Sequence, residues 1–207
     1  MDEEVIKINF WKEIHKEILS TLEEVSGIVL ITHNSIQFPD IIDILNVTRP
    51  NQIMTVLYIS LTRSYEFMKS ALNQKKLREK QLFFIDCVSG YAFPKENNID
   101  DCIYHRPPSN LNEMREIITL GIQKSNPDII IIDSISQFIN FSRPTETKIT
   151  DLYQFLRTIR ESGLNIVQDT YMLFYDNQMD MMINLPKRYT DLILKIEVSK
   201  EEAFWKD

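Results

Sequence analysis

Pro127-Asp128-Ile129-Ile130-Ile131-Ile132-Asp133-Ser134 holds four consecutive isoleucines closed by an aspartate and a serine. A strand covered by helices on both faces reads as an unbroken β-branched run, whereas a strand with one wet face alternates. This stretch is therefore expected to be a central strand of a parallel sheet. Pro127, which has no N–H to leave unpaired, suits the start of such a strand. Asp133 then falls at the carboxyl end, where open α/β sheets place their ligands. The plain alternative is an aspartate that caps or anchors the following turn.

The neighbouring segments fit around that strand. Upstream, Ser109 or Asn110 is placed to cap a helix carrying Leu111, Met114, Ile117, Ile118 and Ile122 on one side. Gln81 to Asp86 reads as another strand ending in an aspartate, Met54 to Leu61 as a strand, and Ser64 to Lys80 as a helix with Phe67, Met68, Ala71 and Leu72 inward. A short strand is expected at Cys102-Ile103-Tyr104. Near the start, helical spacing from Phe10 to Val25 ends at Gly27, and Ile28-Val29-Leu30-Ile31 forms a strand that delivers Thr32-His33-Asn34-Ser35 to the sheet edge. A short helix is expected around Ile41 to Leu45, after Pro39.

Downstream, a helix from about Glu146 to Ser162 stops at Gly163, and Leu164 to Val167 begins another strand. Tyr171 to Tyr189 is a Met-rich, polar segment, and Leu192 to Val198 is a last strand of edge or antiparallel character. Strands separated by single helices imply right-handed crossovers and a mainly parallel sheet covered on both faces. The expected architecture is a three-layer αβα sandwich forming one domain over residues 1–207.

The chain has 207 residues, 43% hydrophobic and 26% charged, so it can bury its own core without disulfides or metal. Its net charge of −7 argues against a nucleic-acid-binding face, since phosphate contacts draw on Lys and Arg. Two cysteines without metal spacing, no secretory apolar region and no membrane-length apolar run predict a reduced, cytoplasmic protein without a membrane span.

In segment order the chain resembles the RecA-like ATPases, specifically the KaiC-like branch common in archaea, over nearly its whole length. The resemblance rests on Gly27 to Thr32, on Val56 to Leu61 followed by a helix, on Pro127 to Ser134, and on Tyr189 to Leu194. It implies a RecA-like P-loop NTPase fold, with Pro127 to Ser134 matching the Walker B strand and Asp133 at the position that holds Mg²⁺ beside bound phosphates.

This sequence departs from the family where the chemistry lies. A phosphate loop needs glycines whose N–H groups wrap the phosphates, a lysine for the β/γ oxygens, and a hydroxyl for Mg²⁺. The corresponding Thr32 to Asp40 contains neither glycine nor lysine, and none of the four glycines of the chain is followed by lysine. His33, Asn34 and Ser35 thus stand at a degenerate phosphate-loop position. After the strand matching Val56 to Leu61, the family places a glutamate that activates water, whereas this chain has Thr62-Arg63-Ser64. The resemblance therefore implies a domain that hydrolyses no ATP, uses no cofactor and keeps Asp133 and Ser134 as vestiges of the Walker B site.

Several residues carry a sharper and a plainer reading. Asp86 and Asp133 form a carboxylate pair if their strands adjoin, and are turn anchors otherwise. His33 is either a ligand contact or a residue satisfying loop backbone. Ser134, His33 and Asp86 can be drawn as a nucleophile system, but no Gly-x-Ser-x-Gly elbow exposes the serine. Phe138, Phe141, Tyr171, Met172, Phe174, Tyr175, Met179, Met181 and Met182 suggest an adaptable contact surface or core filler.

The expected function is a regulatory or scaffolding module working through a protein partner or homo-oligomer, with an active ATPase of the same superfamily among the candidates. The alternative is a small-molecule sensor or enzyme using a crevice lined by Thr32, His33, Asn34, Asp86, Asp133 and Asp169 for a ligand other than ATP.

Overall fold

The structure, a computed structural model, describes residues 27–33, 55–74, 81–91, 100–137, 154, 157, 170–176 and 190–195. The described strands are β1 (Ile28–His33), β2 (Thr55–Ser60), β3 (Gln81–Asp86), β4 (Cys102–Tyr104), β5 (Ile129–Asp133), β6 (Thr170–Asp176) and β7 (Leu192–Lys195). The described helices are α1 (Tyr65–Gln74) and α2 (Leu111–Ser125). All strand pairs are parallel, in the order β4-β3-β2-β5-β6-β1-β7. This is an α/β RecA-like fold.

The isoleucine run is the sheet's central strand, paired with β2 on one side and β6 on the other. Ile129 is 6% exposed, Ile131 1%, and Ile130 and Ile132 are fully buried, so both faces are covered. Side chains alternate between the faces of a strand. Leu57 and Ile85 lie under α2, where a Cβ on Gly121 would come within 2.5 Å of a Leu57 methyl and 3.1 Å of Ile85. Tyr58 and Phe84 lie on the other face, where Phe84 meets the Tyr65 ring of α1 edge-on at 5.3 Å.

Local chemistry sets the helix ends. Asn110 Oδ1 accepts the N–H groups of Asn112 and Glu113, while Glu113 reaches back to accept from Ser109, a reciprocal cap of α2. Asn126 ends α2 in the left-handed conformation at φ 43° and donates its N–H to Ile122 O, and Pro127 follows. The inward residues of α2 are Met114, Ile117, Ile118 and Gly121.

Two expectations are corrected. In α1 the buried residues are Tyr65 and Met68, while Phe67 is 52% exposed. The inward stripe runs from Tyr65 by one turn to Met68, which turns Phe67 about 100° outward. The segment read as Met-rich and polar contains an interior strand, β6, whose Tyr171 and Leu173 are buried. The last strand, β7, is an edge strand, one of the two characters expected of it, and it runs parallel to β1.

Cys87 and Cys102 are both free and buried. Cys102 stands opposite Phe84 in the ladder, three residues before Cys87, or roughly 10 Å along the strands, beyond disulfide reach. The expected helices at 10–25, 41–45 and 75–80 and the strand at 164–167 lie outside the described residues. Within 146–162 only Gln154 and Arg157 are described, and both are helical and exposed.

Candidate functional site

At the carboxyl edge, β2 and β5 end in register, with Ser60 opposite Asp133 and Tyr58 opposite Ile131. Tyr58 and Asp133 consequently share the α1 face, and Tyr58 Oη donates to Asp133 Oδ2 at 2.5 Å. Burial raises the Tyr58 pKa well above its ordinary value, and the Asp133 carboxylate raises it further by charge and by accepting the phenol's hydrogen bond. Tyr58 is therefore held as a phenol that donates.

Beyond Ser60 the chain turns back over the end of β5. Ser60 Oγ donates to Arg63 O at 2.6 Å and accepts the Arg63 N–H at 3.1 Å, which closes the turn. The turn aims Arg63 at the strand end, where Nη1 lies 2.6 Å from Asp133 Oδ2 and also donates to Thr62 Oγ1 at 3.0 Å. The pair is enclosed, with 14% of the Arg63 side chain and 1% of Asp133 exposed. Asp133 Oδ1 is buried and has no hydrogen-bond partner among the described residues. Next to it, Ser134 Oγ and Ser136 Oγ are 2.5 Å apart, and the Asp133–Ser134 peptide is cis.

Asp86 does different work. Its Oδ1 accepts the Val88 and Ser89 N–H groups, and its Oδ2 accepts the Tyr65 N–H, all at 2.8 Å. One carboxylate thus closes the turn after β3 and caps α1, which leaves it committed to backbone. Asp86 and Asp133 do not form a pair, because β2 lies between their strands and separates them by two strand spacings, roughly 10 Å.

The remaining sequence candidates are not brought together. Thr32 is buried in β1, and His33 is its last residue, with its backbone opposite Asp176 of β6. Since β6 intervenes between β1 and β5, His33 stands two spacings from Asp133 and four from Asp86, and the Ser134-His33-Asp86 drawing falls. Asn34, Ser35 and Asp169 lie outside the described residues. β6 begins at Thr170, opposite Ile129 at the amino edge of the sheet. Of the suggested contact surface, Tyr171 is core, and Phe138, Phe141, Met179, Met181 and Met182 lie outside the described residues.

Sequence reasoning placed Arg63 beside the site but missed its partner. The signal was an arginine three residues beyond the strand neighbouring a lone buried aspartate. The Mg²⁺ implied by the resemblance does not fit the residues present. Asp133 Oδ2 already binds a guanidinium and a phenol, and the fixed positive charge of the guanidinium adjoins the whole carboxylate. Among the described residues, no group of three or more His, Cys, Asp or Glu is placed to hold a metal.

No family model and no curated protein matches the sequence. The fold matches the crystal structure of a KaiC-like protein from the hyperthermophilic archaeon Pyrococcus horikoshii OT3, with a TM-score of 0.54 and 10% identity, over 84% of this chain and 75% of that one. At that identity the likeness is one of fold. No helix among the described residues is long and apolar enough to cross a membrane.

Proposed function

We propose that this chain is a non-hydrolysing RecA/KaiC-like domain that acts through protein contacts as a regulatory or scaffolding module. The observation that carries the reading is the Arg63–Asp133 ion pair: the aspartate at the Walker B position is bound to the chain's own arginine. A Thr32 to Asp40 segment without glycine or lysine supports it as well. A domain can retain its packed sheet and subunit surfaces while losing its chemistry, because fold and function are separable. The partner class is a protein, either a second copy or an active ATPase of the same superfamily.

The test is thermal unfolding of the protein with and without millimolar Mg²⁺-ATP, with its size measured by light scattering. A ligand at about 100 times its Kd stabilises by about 2.7 kcal/mol, or roughly 5–10 °C here. The expected result is no shift. A clear shift shows that nucleotide binds by a route the Thr32 to Asp40 sequence does not offer, phosphate release from Mg²⁺-ATP refutes the non-hydrolysing reading, and a strictly monomeric protein counts against homo-oligomeric contact.

One observation favours a second reading, a sensor or enzyme for a small molecule other than ATP. Asp133 Oδ1 is a buried acceptor without a donor, a rarity in a well-satisfied interior. A ligand carried through purification and identified by mass spectrometry would select this reading.

A further inference from the structure

We propose that Arg63 is a tethered cation standing where a divalent metal would otherwise sit against Asp133, and that its charge is what opposes a metal there. The inference rests on the non-hydrolysing reading and traces its metal-free character to one residue.

A carboxylate 1% exposed needs a compensating positive charge, and the guanidinium supplies it at 2.6 Å. The compensation is lopsided. Oδ2 accepts from both Arg63 and Tyr58, whereas Oδ1 accepts nothing. A hard cation with several oxygen ligands and retained waters is suited to use both carboxylate oxygens. Other oxygens stand at the same strand end: the Tyr58 phenol on Oδ2, and the Ser60 hydroxyl, which is spent on the backbone of Arg63. The surroundings therefore offer oxygen donors and a negative charge, and the guanidinium is the element that opposes a second cation.

Exchanging the guanidinium for a neutral amide, Arg63→Gln, removes that opposition, leaves the Asp133 charge uncompensated and adds one more oxygen. The variant should acquire a site for a divalent cation. Arg63→Lys, which keeps the charge, should not.

The probe is Mn²⁺, followed by the electron paramagnetic resonance signal of the free ion, in the wild type, Arg63→Gln, Arg63→Lys and the double variant Arg63→Gln/Asp133→Asn. The expected result is one Mn²⁺ bound by Arg63→Gln at least about 10-fold tighter than by the wild type or Arg63→Lys. The double variant should lose this site. Equal binding by Arg63→Gln and the wild type overturns the proposal, as does binding that survives Asp133→Asn. If Arg63→Gln is unfolded without metal, Mn²⁺ should restore its cooperative melting, and failure to do so overturns the proposal too. Phosphate release from Mg²⁺-ATP by the wild type reads the underlying function separately. No phosphate release combined with no Mn²⁺ site in Arg63→Gln refutes the tethered cation alone, whereas phosphate release refutes the non-hydrolysing reading.

Discussion

Asp86→Ala and Asp86→Asn separate a carboxylate that builds the fold from one reserved for a ligand. Asp86 accepts three backbone N–H groups, from Tyr65, Val88 and Ser89, and is 1% exposed. Truncation to alanine orphans all three. The Tyr65 amide is buried and loses about 2–3 kcal/mol, while the partly buried Val88 and Ser89 amides regain some water and lose about 1 kcal/mol each. The expected cost of Asp86→Ala is therefore about 4–5 kcal/mol. Asparagine keeps one acceptor oxygen. It can serve either the two turn amides or the Tyr65 amide, and its NH₂ opposes whatever remains, so Asp86→Asn should cost about 2 kcal/mol. At roughly 2–4 °C per kcal/mol, melting should fall by about 8–20 °C and about 4–8 °C. Denaturant unfolding followed by circular dichroism measures both, and hydrogen exchange should show the Tyr65 amide losing protection in Asp86→Ala. A carboxylate kept for a ligand would behave oppositely, since removing an uncompensated buried charge stabilises. A loss below about 1 kcal/mol for Asp86→Ala, or equal losses for both variants, refutes the reasoning.

Packing and pH supply two further expectations. At Gly121 an added Cβ would lie 2.5 and 2.7 Å from the two Leu57 methyls, so Gly121→Ala should lose about 1 kcal/mol despite its helix-propensity gain of about 1 kcal/mol. Gly121→Val should lose more, and Leu57→Val should relieve part of the Gly121→Ala loss in a double-mutant cycle. Burial first, and the neighbouring Asp86 charge second, push the Cys87 thiol from 9.0 up to about 12. The folded state then holds a proton that the unfolded chain releases near pH 9. This stability contribution is complete below pH 9 and is lost as pH rises through about 12, so denaturant midpoints should fall across that window and fall less in Cys87→Ala.

The legible parts of the sequence were those in which neighbouring residues carry the signal. The isoleucine run announced a strand covered on both faces, and the pair Ser109 or Asn110 announced the start of α2. What escaped depends on register between distant segments. Asp86 and Asp133 were visible as strand-end acids, but Tyr65 and Arg63, the residues that commit them, reach them only once β2 is set between β3 and β5. β6 was missed because Thr170 to Asp176 has no Val or Ile and adjoins methionine-rich sequence. Its Thr, Tyr and Phe content was the available β signal. Phe67 was placed inward because the stripe was counted from it, whereas the buried stripe of α1 begins at Tyr65.

The position of β1 bears on how the chain reaches its fold. Both neighbours of β1 in the sheet, β6 and β7, come late in the sequence, and the bond from the Ile28 N–H to Asp191 Oδ2 spans 163 residues. Val29, Leu30 and Ile31, all 0% exposed in the finished sheet, leave the ribosome long before any strand exists to pair with them. At roughly 5–20 residues per second that interval lasts about 7–30 s. The sheet is therefore completed from its middle outward and late, a high-contact-order assembly that folds slowly. During synthesis β1 is the apolar segment most in need of protection by a chaperone.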